Sequence, residues 1–357
     1  MVGAVGRRAP VDAGRAEHLL RAGKLLEEHS DRDGAILRYR KALDADRSNV
    51  AAVRALRHIY ARRGDTHGAI EMLNHAIELS GGELERAELF GELGDLYLTK
   101  LEDETAAAEA FNTALSLDPT CTLAQVGLGE IAWRHADHEA AAMHLGAVLG
   151  RLDDLPRDQA AEVARRAGAS YEVQGQLDKA LDAFKRARDL SPDDLAVNLR
   201  HAASVRKTGD AKAAERLYER LYTKFESELD VATRIDLLNA WGETQLEAGQ
   251  TRAAISTFKR ALDITPDDNT ALDGLTRAHA DAGEYAEVIN LLQQRSRSAT
   301  DPERRFDLLV RTGDVFLENI RDRDAAAETY VMALDSQPNN RNLLTKLMAV
   351  YSDAKDW

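Results

Sequence analysis

The chain has 357 residues, 30% of them charged and only 5% aromatic, with a formal net charge of −14 and one cysteine, Cys121. That acidic balance lacks the Lys/Arg excess that phosphate contacts require and argues against nonspecific binding of nucleic acid. A lone cysteine excludes an intrachain disulfide and agrees with a reducing compartment. No uncharged run approaches the roughly 18 residues of a membrane span, the longest being Pro119–Gly129 and Ala140–Gly150.

Residues 1–15 lack the apolar core of a signal peptide and read as a disordered lead-in. With no membrane segment either, a cytoplasmic location is expected. The Asp/Arg/Ala-rich style suggests a bacterial source. Charge is uneven: residues 1–63 hold 14 Lys/Arg against 8 Asp/Glu, and the remainder 33 against 53. A basic leading end suits an acidic partner.

From residue 16 onward a small residue recurs at Ala35, Ala69, Ala107, Ala141, Ala180, Ala214, Ala254, Val288 and Ala326. A large residue follows each one four positions later: Tyr39, Leu73, Phe111, Leu145, Phe184, Tyr218, Phe258, Leu292 and Tyr330. Such pairs share one face of a helix. The spacings alternate as 34, 38, 34, 39, 34, 40, 34 and 38, so a longer two-repeat period is superposed. The extra residues lie in Gly82–Glu88, Asp154–Glu162, Glu228–Ile235 and Thr300–Asp307. They predict first helices that start about one turn early, with Pro156 and Pro302 at N1 positions. Pro119, Pro192, Pro266 and Pro338 stop every other second helix, because the residue before Pro is pushed out of the α region. This pattern couples repeat five to repeat six.

The clearest copy is Ala161–Asp194. Gly168 and Tyr171 lie on its first helix; Ala180, Phe184 and Ala187 lie on its second. Gly175 marks the turn, and Pro192 the end. This pattern, G-x2-Y … A-x3-F-x2-A … P, resembles the tetratricopeptide repeat. The resemblance implies an all-α, right-handed superhelical solenoid of antiparallel helix pairs. Its nine repeats would span about 16–49, 50–83, 84–120, 121–155, 156–194, 195–228, 229–268, 269–302 and 303–340. Residues 341–357 would form the first helix of a truncated tenth repeat, with Leu343, Leu344, Leu347 and Tyr351 on an apolar face that could support self-association. Ending there suggests a fragment of a longer protein.

The resemblance also implies a groove lined by first helices. Carried onto this chain, the candidate peptide-binding residues are Arg54, His58, Arg62, Arg165, Arg206, Asn239 and Arg277, with Glu172, Leu199, Glu243 and Asp273 beside them. Arg residues at these positions suit carboxylates of a peptide. The chaperone-binding form of the family needs a Lys/Asn clamp, and this chain shows Ala169 and Ala203 where Asn is required. The ladder of inward Asn found in sugar-transferase relatives is missing too.

No phosphate loop, nucleophile elbow or zinc motif is present, so no catalytic site, cofactor or metal is expected. His135, Asp137, His138 and His144 form the sole imidazole–carboxylate cluster, and solvated turn histidines are the default reading. Cys121 reads as a small buried hydrophobe. The expected function is a non-catalytic protein-interaction scaffold or adaptor that holds a peptide or helix. Alternatives are the substrate-recruiting part of a larger enzyme or regulator with its effector domain beyond residue 357, a homo-oligomer, and a ligand-gated spring.

Overall fold

The computed structural model describes residues 12–354. Among them lie nineteen α-helices and no strand. The first unit holds five pairs: α1 (Ala13–Glu28) with α2 (Arg32–Ala45), α3 (Val50–Arg63) with α4 (Thr66–Leu79), α5 (Glu83–Lys100) with α6 (Glu104–Leu117), α7 (Thr122–Arg134) with α8 (His138–Val148), and α9 (Arg157–Val173) with α10 (Leu177–Leu190). The second holds four pairs and one further helix: α11 (Leu195–Lys207) with α12 (Ala211–Phe225), α13 (Val231–Glu247) with α14 (Thr251–Ile264), α15 (Asn269–Asp281) with α16 (Tyr285–Ser298), α17 (Pro302–Val315) with α18 (Arg323–Leu334), then α19 (Arg341–Ala354). A 3₁₀ segment, Leu149–Asp154, extends α8, and a π segment, Phe316–Ile320, extends α17.

Compactness divides the chain between Ser191 and Pro192. Repeat five therefore ends the first unit and repeat six opens the second. The pairing of repeat five with repeat six, inferred from Pro192 and regular spacing, falls across that division. Spacing reports loop length, whereas α9 packs directly on α8 and on its 3₁₀ extension.

Local chemistry sets the helix ends. Asp side chains cap eleven helices, those starting after Asp12, Asp31, Asp65, Asp103, Asp137, Asp194, Asp210, Asp230, Asp268, Asp301 and Asp322. Each accepts a backbone N–H from the first turn, so much of the negative charge is structural. Asp12 bears on the lead-in expected over residues 1–15. Residues 1–11 lie outside the described residues, but Asp12 accepts the Arg15 amide at 3.0 Å and α1 begins at Ala13.

The early starts are present: α5, α9 and α13 have 18, 17 and 17 residues, against 13 or 14 for α3, α7, α11 and α15. Pro302 occupies N1 of α17, as expected. Pro156 does not; its ψ of 141° is extended, and it is the N-cap of α9.

Each of the nine turns inside a pair contains one residue at positive φ. Five are glycines, Gly64, Gly175, Gly209, Gly249 and Gly283; four are Ser30, Glu102, Ala136 and Arg321. The left-handed residue reverses the chain and lets the next amides close on the carbonyls of the last helical turn.

Rings fill the space between helices. Tyr39, Phe111, Phe184, Phe258 and Tyr330 are all buried to within 1%. Their neighbours are glycines of first helices. Phe111 lies between Gly94 of α5 and Gly127 of α7, and Phe258 between Gly242 of α13 and Gly274 of α15. A Cβ at any of these positions would meet the ring, so the small residue defines the helix approach. Truncating one such ring to Ala should cost about 3–5 kcal/mol.

On α19 the expected apolar stripe splits. Leu343 and Val350 are buried and Leu347 packs beside them against α17 and α18, whereas Leu344, Met348 and Tyr351 are exposed. Residues 355–357 lie outside the described residues.

Candidate functional site

In the first unit, α3 and α5 lie side by side with α4 behind them and the start of α7 beyond. Two adjoining cavities of about 200 and 380 Å³ open along this face. Arg54, Arg57 and Glu92 contribute to both. The smaller is closed by Val50, Leu79 and Glu88; the larger by His58, Leu73, Asp95, Leu96 and Leu123. Apolar floors with charged walls suit a side chain that carries a polar head on an aliphatic stem.

Arg57 lies 3.6 Å from Glu92, and His58 lies 3.9 Å from Glu27 of α1. Burial pushes the Glu92 carboxyl above the usual range, with Glu88 and Asp95 adding repulsion and Arg57 opposing it. Burial raises Asp95 likewise, although the residue reaches solvent. Arg54 makes no hydrogen bond or ion pair among the described residues.

The structure brings Arg54 and His58 to one cavity but disperses the other candidates. Arg62 is exposed at the end of α3 and lines neither cavity. Arg165 donates to Glu162 at 2.7 and 2.6 Å. Arg206 makes a two-pronged contact with Glu247 at 2.8 and 2.6 Å, which lowers the Glu247 carboxyl. Arg277 pairs with Glu243. Asn239 is buried and donates Nδ2 to Asp268, the cap of α15, at 2.8 Å. These residues join the chain to itself, so they do not assemble a run of cations for an acidic partner.

The pairs form a series along the first helices. In the first unit Glu27–His58 joins α1 to α3, Arg57–Glu92 joins α3 to α5, and Glu130–Arg166 joins α7 to α9. In the second, Arg206–Glu247 joins α11 to α13, Glu243–Arg277 joins α13 to α15, Asp273–Arg311 joins α15 to α17, and Asp314–Lys346 joins α17 to α19. Between α5 and α7 no such pair occurs among the described residues.

Repeat spacing by itself does not single out Arg57, Glu92 and Asp95. Repeat three has one extra turn residue, so counting back from Ala107 displaces its first-helix register by one. The legible signal was the ring-contacting glycine: Asp95 follows Gly94 as Ala169 follows Gly168 and Glu243 follows Gly242.

The histidine cluster is dispersed among separate partners. His135 Nε2 lies 2.7 Å from Glu104 Oε2, Asp137 caps α8, and His144 Nδ1 lies 2.8 Å from Gln125 Oε1. Among the described residues no three His, Cys, Asp or Glu side chains converge as metal ligands. Cys121 is 7% exposed with its Sγ 3.7 Å from the Ala87 carbonyl, and burial pushes its thiol up. No described helix is long and apolar enough to cross a membrane.

Family models described as tetratricopeptide repeat match residues 92–156, 161–194 and 245–311. No curated protein matches the sequence. Solved structures with a similar course include YrrB, described as a TPR protein with an unusual peptide-binding site, at 24% identity over 51% of this chain and 89% of that one, with a TM-score of 0.38. Another is the C-terminal part of a TPR protein from Cytophaga hutchinsonii, at 16% identity over 72% of this chain and 99% of that one, with a TM-score of 0.43. A third is a tetratricopeptide repeat protein from Parabacteroides merdae, at 17% identity over 74% and 99%, with a TM-score of 0.40. The three matched stretches fall on helix pairs built on the small-residue and large-residue contacts described above, and the chain is a tetratricopeptide-repeat protein.

Proposed function

We propose that the protein is a non-catalytic interaction scaffold, and that the face shared by α3, α5 and α7 receives an extended peptide or a helix of a partner protein. One observation carries this reading: the adjoining cavities walled by Arg54, Arg57, Glu92 and Asp95 and floored by Leu73, Leu96 and Leu123. Elsewhere first-helix arginines such as Arg206 and Arg277 are engaged by carboxylates of the chain; here apolar surface and charge remain accessible together. The acidic partner suggested by the basic leading end rests on Arg54 and Arg62, since the other arginines proposed for it have carboxylate partners.

Affinity capture with the full chain, compared with its Leu123→Glu and Arg54→Glu variants, tests the assignment. Leu123 is 37% exposed, so its replacement should spare the fold and remove the groove's ligand. Capture of the same partner at the same yield by both variants would move the site elsewhere. If the chain serves an enzyme, that partner will be the enzyme's substrate. Self-association is a second mode, supported by Leu344, Met348 and Tyr351 standing exposed on α19. Sedimentation at several concentrations, with and without Met348→Glu, tests it; a monomer at every concentration rejects it.

A further inference from the structure

Two segments of the chain repeat each other closely: Gly94–Phe111, GDLYLTKLEDETAAAEAF, and Gly313–Tyr330, GDVFLENIRDRDAAAETY, with equivalent residues 219 positions apart. In both, the glycine faces the buried ring of the second helix. In both, an aspartate follows that glycine: Asp95 in α5, Asp314 in α17.

Asp314 has two partners. The Tyr330 hydroxyl donates to its Oδ1 at 2.6 Å, and Lys346 Nζ of the next first helix donates to the same oxygen at 2.7 Å. The residues equivalent to Tyr330 and Lys346 beside Asp95 are Phe111 and Gly127. Phe has no hydroxyl and Gly no side chain. The Asp95 carboxylate keeps its place while both internal donors are gone, and it makes no hydrogen bond or ion pair among the described residues. In front of it lies the 380 Å³ cavity, lined by Glu92 and, on the α3 side, by Arg54, Arg57 and His58, with Leu73, Leu96 and Leu123 forming an apolar surface. Within the first unit, this is also a first-helix junction that no ion pair crosses among the described residues.

We propose that this cavity takes a lysine or arginine side chain of the partner polypeptide, with its cationic head on Asp95 and its stem on Leu96 and Leu123. The assignment rests on the reading of the α3/α5/α7 face as a peptide groove. The ligand's cation stands where Lys346 stands beside Asp314. The comparison with Asp314, which holds a lysine at the equivalent place, favours this choice. Arg57 already engages Glu92, whereas the Asp95 carboxylate has no ion-pair or hydrogen-bond partner among the described residues and only the more distant charge of Lys100 to offset it; its partial desolvation makes an added cation more favourable than on open surface.

The test is a positional-scanning octapeptide library, immobilised and probed with the labelled full chain and with its Asp95→Asn, Phe111→Tyr and Leu123→Glu variants. The expected result is selection of Lys or Arg at one position, by about fivefold over Gln, the scale of a pair worth up to roughly 1 kcal/mol. Asp95→Asn should abolish that selection while peptides are still bound. Phe111→Tyr, which restores the hydroxyl present in the second unit, should reduce it. Peptides bound without cation selection, or with selection unchanged in Asp95→Asn, would overturn the lysine or arginine assignment and leave the groove standing. Binding undiminished by Leu123→Glu, or no binding to any peptide, would overturn the groove and this inference with it. Circular dichroism of each variant confirms that loss is not unfolding.

Discussion

Ala136→Gly should stabilise the protein, and Gly175→Ala should destabilise it by a similar amount. Ala136 stands in the turn between α7 and α8 at φ +55°, a left-handed conformation filled by Gly in five of the nine turns. The turn closes on Ala136 itself, whose amide donates to the Trp133 carbonyl at 3.0 Å, followed by the Asp137 amide to the Ala132 carbonyl at 2.9 Å. The residue is exposed, so removing its methyl forfeits little packing. A Cβ in this region costs roughly 1–2 kcal/mol. The greater freedom of Gly in the unfolded chain offsets about 0.4–1 kcal/mol of the relief. The net gain should be about 0.5–1 kcal/mol. Gly175 supplies the reverse experiment: φ is +70°, and a Cβ built there meets nothing within 4 Å, so Gly175→Ala isolates the conformational cost. Both sites lie in the first unit, residues 1–191. For a body of that size the change corresponds to roughly 1–4 °C in Tm. Far-UV circular dichroism melts of the full chain measure it, and amide exchange at residues 136 and 137 reports whether the effect is local. A lower Tm for Ala136→Gly, or an unchanged one for Gly175→Ala, would refute the argument that left-handed strain sits in these turns.

Gly94→Ala would put a methyl 2.5 Å from the Phe111 ring, and should cost about 1–3 kcal/mol, read as a lower urea midpoint and relieved by adding Phe111→Leu. Ala180→Trp, at a site 1% exposed, should cost at least as much by overpacking α9 against α10; near-wild-type melting would contradict the packing. Hydrogen bonds from Arg206 hold the Glu247 carboxyl below its usual range. The stability it contributes is therefore present above the unfolded-state pKa and lost as pH falls through the folded one, so Glu247→Gln should flatten the acid limb of the stability curve. Glu92 has the opposite sign: burial raises its folded-state pKa, so protonation favours the fold and Glu92→Gln should remove a gain in stability on acidification. Cys121 should resist alkylation at neutral pH in the native chain and react on unfolding, since burial both covers the thiol and raises its pKa.

The helix pairs were legible because their determinants are local. Ala180 and Phe184 lie one turn apart, Gly175 makes a left-handed turn in place, and Asp194 caps the helix that follows it. Such features follow from covalent geometry and contacts within one or two turns, and the 34-residue recurrence repeats them. Pro302 was read correctly at N1 for the same reason. Pro156 was misplaced because its ψ, and not its ring, decides whether the helix has begun there.

The candidate site was legible only in part. Arg54 and His58 were found because their positions on α3 follow from helical period. Arg206 and Arg277 looked equivalent on the same grounds, yet Glu247 and Glu243, 41 and 34 residues away, neutralise them. Whether a charged side chain is spent or available depends on the neighbouring first helix, and that contact is tertiary. The same holds for the division at Ser191/Pro192, where loop spacing pointed to continuity. The sequence by itself determined the repeat, its turns and its ring-to-glycine contacts, because these are local and periodic. Only the tertiary structure decided which carboxylates keep a partner, because Asp314 and Asp95 sit in nearly identical segments and differ in what distant residues, Lys346 and Gly127, bring beside them.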